Sequence, residues 1–120
     1  MILVDTSLWV EHLRRNVPAL AVVLEENLVM MHPFIVGELA CGRLNNRPQL
    51  LRLLSDLPQA PVATDFEVLD FIGRRALAGR GIGYIEMHLL ASVVLDGAAT
   101  LWTLDKRLLL VAQDLKLAYG

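Results

Sequence analysis

The sequence predicts an α/β fold in which a short, mostly parallel central sheet is flanked by helices. Three observations carry this expectation. Short β-branched and apolar runs alternate with longer segments of helical spacing. The short runs are apolar at nearly every position, as in strands covered on both faces. The 120 residues are 55% hydrophobic and 20% charged, with mean hydropathy +0.49, enough to fill one core and leave apolar surface for a partner. A single domain over residues 1–120 is expected.

The elements follow in order. "MILVD" reads as a buried strand closed by Asp5, and "TSLWVEHLRR" switches to helical spacing with Leu8, Trp9 and Leu13 on one side. Pro18 opens a second helix, "PALAVVLEEN". "LVMMH" is a further strand, and Pro33 suits the first turn of "PFIVGELACGRL". "RPQLLRLLSDL" is an amphipathic helix, and "APVA" a brief strand candidate. Thr64 is placed to cap "DFEVLDFIGRRALAG". "RGIG" is a turn before a strongly apolar helix, "YIEMHLLASVVL". "AATLWTLD" is the clearest later strand, "KRLLLVAQDL" a helix, and "KLAY" a last strand candidate.

Composition narrows the function classes. A net charge of -2 and a pI near 5.8 exclude a basic nucleic-acid wrapper. Any contact with a polyanion has to use local arginines, metal ions, or both. Cys41 is the only cysteine, so no internal disulfide forms, which fits a reducing cytoplasm. No apolar run approaches the roughly 20 residues that cross a bilayer, and "MILVDTSLWV" has no basic n-region, so neither a membrane span nor a signal peptide is expected. His12, His32 and His88 lack zinc-ligand spacing and read as packing or surface residues. "GRGIG" lacks the Lys-Ser/Thr of a phosphate loop.

Four acids stand out. In open parallel sheets, ligand sites lie beyond the carboxyl ends of the strands. Asp5 and Asp105 occupy such positions, although each is also a natural helix N-cap. Glu38 and Glu86 sit in helices with little other polar character. Glu86 has a structural alternative too, since with Gly83 as N-cap it holds the acid position of a capping box. If the four converge, their repulsion requires a proton or a cation between them. Oxygen ligands select a hard cation, Mg²⁺ or Mn²⁺. Such a centre suits phosphodiester hydrolysis. Arg43, Arg80 and Lys106 adjoin the acid-bearing segments and are candidates to hold RNA phosphates.

"MILVDTSLWVEHLR", "MHPFIVGELACG", "GRGIGYIEMHLLAS" and "LWTLDKRL" resemble, in order and nearly end to end, the PIN domain, and more narrowly the VapC toxins of type II toxin–antitoxin pairs. The resemblance implies a three-layer sandwich around about five parallel strands. It implies a metal-dependent endoribonuclease with Asp5, Glu38, Glu86 and Asp105 as metal-binding catalytic acids. Thr103 matches the hydroxyl residue two before the last acid, and Thr6 or Ser7 the hydroxyl after the first. It further implies an RNA substrate, a homodimer, and a VapB-type antitoxin whose C-terminal segment covers the active site. Members of the family usually carry Asp where this chain has Glu86. That departure keeps a second expectation in view, a non-catalytic PIN fold that binds protein or RNA through a degenerate acid site. A receiver-type signalling domain is disfavoured, because the first strand end has one acid where that fold needs a pair.

Overall fold

A computed structural model describes all 120 residues. Three strands form one sheet: β1 (Ile2–Val4), β2 (Val29–Met30) and β3 (Thr100–Trp102), in the order β2-β1-β3. Both pairings are parallel, with Ile2 opposite Val29 on one side and Thr100 on the other. β1 and β2 are buried at every residue, which explains their unbroken apolar sequence.

Seven helices surround this sheet: α1 (Thr6–Arg15), α2 (Pro18–Glu25), α3 (Pro33–Ala40), α4 (Arg47–Ser55), α5 (Asp65–Arg74), α6 (Tyr84–Asp96) and α7 (Lys106–Asp114). β1 leads through α1 and α2 to β2 on one side, and the chain then crosses back to place β3 on the other side of β1. Parallel crossovers are right-handed, so this reversal wraps helices over both faces. It also makes the gap between β1 and β3 the switch point of the sheet.

Two expected strands are reduced to single bridges. The pairing expected in "APVA" occurs one residue earlier, at Gln59 opposite Met31, with Ala60 N–H bonded to the Met31 carbonyl. Pro61 follows at once and has no N–H to continue a ladder. "KLAY" contributes one bridge, Ala118 opposite Leu101. The sheet thus has a three-strand centre with a one-residue extension at each edge. α3 stops at Ala40 and α5 at Arg74, short of the expected "CGRL" and "RALAG". Arg47 reaches back to the Ala40 and Gly42 carbonyls, satisfying acceptors freed at the end of α3.

Twenty-seven buried apolar residues form one continuous cluster. α6 runs through it, with every residue from Met87 to Val93 buried. A helix apolar on all sides must lie inside, and Glu86 is the last residue before that buried stretch. α5 begins with the expected cap: Thr64 Oγ1 accepts from Glu67 N–H, and the Glu67 carboxylate accepts from Thr64 N–H.

Candidate active site

Asp5 and Asp105 leave the two strands that border the switch point, so the fold delivers one acid from each side of it. Their side chains do different things. Asp5 occupies the N-cap position of α1 yet makes no side-chain cap bond. Its Oδ2 instead accepts from Ser7 Oγ and Thr103 Oγ1, each at 2.7 Å. Asp105 does cap its helix, with Oδ1 accepting from Leu108 N–H at 2.9 Å.

The hydroxyl protons around Asp5 are fixed by the backbone. Leu104 N–H donates to Ser7 Oγ, and Asp105 N–H donates to Thr103 Oγ1. Each hydroxyl thereby accepts from an amide, and its own proton points at Asp5 Oδ2. Asp5 is only 6% exposed, and a buried carboxylate needs such donors to stay charged. Oδ2 is occupied by two donors, which leaves Oδ1 as the oxygen open to a ligand.

The second hydroxyl serves the second acid. Thr6 Oγ1 donates to Glu38 Oε1 at 2.6 Å, bringing α3 to the end of β1. The sequence left Thr6 and Ser7 as alternatives for one position. The structure uses both, Ser7 on Asp5 and Thr6 on Glu38.

Glu86 is half-buried in the first turn of α6. Its carboxylate folds back over Gly83, where Oε2 lies 2.9 Å from the point a Cβ would occupy, and it completes no capping bond. The N-terminus of α6 sits beside that of α7, because Gly81 packs against the Arg107 side chain. As folded, no three His, Cys, Asp or Glu side chains approach closely enough to share an ion. The donor chemistry nevertheless suits a hard cation. Asp5, Glu38 and Asp105 each keep one carboxylate oxygen without a protein partner, and Glu86 keeps both. Mg²⁺ is commonly held by one or two carboxylates and completes its shell with water.

The basic candidates divide. Arg80 is paired with Asp114 at 2.6 Å and is not free for phosphate. Lys106 is exposed in the first turn of α7, and Arg43 is exposed beyond α3 on a cavity that Glu38 also lines.

A polar feature that the sequence did not reveal lies behind α6. His32 and His88 are both buried, on either side of Phe34. His32 Nδ1 accepts from Phe34 N–H and caps α3, so Nε2 carries the proton. Burial, reinforced by the nearby His88, lowers the His32 pKa to about 4. His88 Nε2 lies 3.3 Å from Asp65, which also accepts from the Tyr84 hydroxyl at 2.8 Å. These contacts hold the Asp65 carboxyl below its usual range and raise the Tyr84 phenol. They clasp the start of α5 to the first turns of α6. No spacing rule links residue 65 to residues 84 and 88, so only the fold reveals the clasp.

No protein-family model matches the chain. A search of characterised proteins finds Ribonuclease VapC32 of Mycobacterium tuberculosis, in strains CDC 1551 / Oshkosh and ATCC 25618 / H37Rv. Each is 50% identical to this chain over 108 residues, covering 90% of this chain and 87% of the relative.

Proposed function

Because the chain belongs to the VapC family of ribonucleases, we propose that it is the toxin of a type II toxin–antitoxin pair and a divalent-metal-dependent endoribonuclease. The observation that carries the mechanism is the hydroxyl cage on Asp5 at the sheet switch point. It holds the Asp5 carboxylate oriented in a nearly solvent-free position, where an electrostatic contact is strongest.

Asp5, Glu38, Glu86 and Asp105 are the residues that would hold Mg²⁺ or Mn²⁺. When bound, the ion lowers the pKa of a water and offsets charge developing on the phosphate oxygens. The chain's own contribution is positional. Thr103 and Ser7 hold Asp5 with Oδ1 free, and Thr6 holds Glu38 with Oε2 free to orient water. Asp105 is fixed by its bond to Leu108 N–H, and its other oxygen faces solvent.

The proposed partners are an RNA substrate, a VapB-type antitoxin whose C-terminal segment covers the acid edge, and a second copy of the chain. Residues 1–120 act as one PIN domain in the cytoplasm. No helix is long and apolar enough to cross a membrane.

A non-catalytic protein- or RNA-binding role is the second reading. It is favoured by the folded-back Glu86 and by the separation of the acids as folded. One experiment separates the two. Protein freed of antitoxin is incubated with RNA and Mn²⁺, with and without EDTA, beside Asp5→Asn. Cleavage that needs both the metal and Asp5 supports the enzyme. Cleavage that survives both EDTA and Asp5→Asn overturns the mechanism, and absence of cleavage by wild type supports the binding role.

A further inference from the structure

Glu38 faces two ways. One carboxylate oxygen is tied to Thr6 beside Asp5, and the side chain also lines an open cavity of about 590 Å³ between α1, α3 and α4. That size lies within the usual range for ligand pockets. Leu13, Leu44 and Leu50 form part of an apolar wall. Arg14 and Arg43 stand on the same cavity, both exposed.

The two guanidiniums differ from their neighbours. Arg15 is paired with Glu11, and Arg47 is spent on the Ala40 and Gly42 carbonyls. Arg14 and Arg43 have neither an ion pair nor a hydrogen bond. An acidic chain therefore keeps two uncommitted cations beside an apolar hollow that Glu38 also lines. Asn45, also on the cavity, adds an amide with free donors and a free acceptor.

We propose that this cavity is a nucleotide subsite for single-stranded RNA, receiving the nucleotide next to the phosphate that reacts at the acid edge of Asp5 and Glu38. This rests on the ribonuclease reading above. Unpaired RNA is recognised by splaying its bases onto apolar or guanidinium surfaces while cations hold the phosphates. The wall has no aromatic ring, so the base rests on the apolar side chains of Leu13, Leu44 and Leu50 while Arg14 and Arg43 hold the phosphates. The charge of the two arginines selects a phosphate-bearing occupant. Continuity through Glu38 selects a nucleotide joined to the reacting one.

The test uses the Asp5→Asn chain, in which cleavage should be lost, and a fluorescein-labelled single-stranded RNA of mixed sequence read by anisotropy. Adding Arg14→Gln and Arg43→Gln should weaken binding about tenfold or more. The slope of log Kd against log salt should fall by about 1.4, two phosphate contacts at about 0.7 each. A charge-matched control, Arg52→Gln with Arg74→Gln, should change affinity less than about threefold. In the active chain, the arginine pair should also alter which nucleotides flank the cut. Unchanged RNA binding and unchanged cut sites in the Arg14/Arg43 variant overturn the subsite while leaving the ribonuclease intact. A variant that loses a VapB-type antitoxin but not RNA also overturns it, and gives the cavity to the protein partner. Arginine-dependent RNA binding without cleavage by wild type supports the subsite and sinks the ribonuclease reading instead.

Discussion

Thr103 illustrates how much one hydroxyl can decide. It is buried, donates to Asp5 and accepts from Asp105 N–H, so it links the ends of β1 and β3. Thr103→Val should lower stability by about 2 kcal/mol, since a bond to a charged group is lost and an amide is left unpaired. Cleavage should fall with it, and Thr103→Ser should restore both; chemical denaturation and an RNA cleavage assay check this. Glu86 makes no bond that fixes its charge, so its variants separate metal binding from structure. Glu86→Gln should abolish most cleavage, because a neutral amide is a poor ligand for a hard cation. Glu86→Asp, the usual family residue, should retain activity. Normal cleavage by the Gln variant would remove Glu86 from the site.

Among the elements, the turn before α6 sets the geometry of the acid edge. Gly81 has φ +82°, and a Cβ there would lie 3.1 Å from Arg107 Cδ and Nη1. Gly81→Ala should cost about 1–2 kcal/mol through the left-handed backbone, with a further cost if Arg107 cannot shift. Thermal melting measures the loss. A variant as stable as wild type would show that the turn relaxes freely.

For the molecule as a whole, His32 makes stability depend on pH. Its folded pKa of about 4 lies below the unfolded value of 6.5, so the unfolded chain binds the proton first. The stabilisation is complete above pH 6.5 and is lost as pH falls towards 4, by up to about 3 kcal/mol at 1.36 kcal/mol per pH unit. His32→Asn keeps a cap acceptor for α3 but does not titrate, so its stability should be flatter over that window. Urea titrations at pH 7, 5.5 and 4.5 decide it, and an equal slope in both proteins would exclude His32 as the cause. Assembly belongs to the same scale. α5 leaves Phe66 78% and Leu69 62% exposed, an apolar face suited to a two-fold partner. Light scattering should give twice 13.3 kDa, and Phe66→Asp with Leu69→Asp should give the single mass. A monomeric wild type at micromolar concentration would rule the dimer out.

The sequence by itself determined the α/β class, the alternation of strands and helices, and the placing of Asp5 and Asp105 at strand ends. These are local properties: periodicity, β-branched runs, prolines and caps act over a few residues. The sequence also singled out Glu38 and Glu86 as acids in otherwise apolar helices; family resemblance added Thr103 and the metal-binding role of the four acids, and gave the VapC assignment that the 50% identity bears out. Only the tertiary structure decided which edge segments pair by a single bridge, because that depends on neighbours far along the chain and on Pro61. It alone separated the two hydroxyls, giving Thr6 to Glu38 and Ser7 to Asp5, and identified Asp105 rather than Asp5 as the capping acid. It alone disclosed the buried His32, the Asp65 clasp and the free arginines beside Glu38. The reason is one of range: a cap or a strand is written in adjacent residues, whereas the partner of a side chain is set by where the fold brings a residue 32 or 98 positions away.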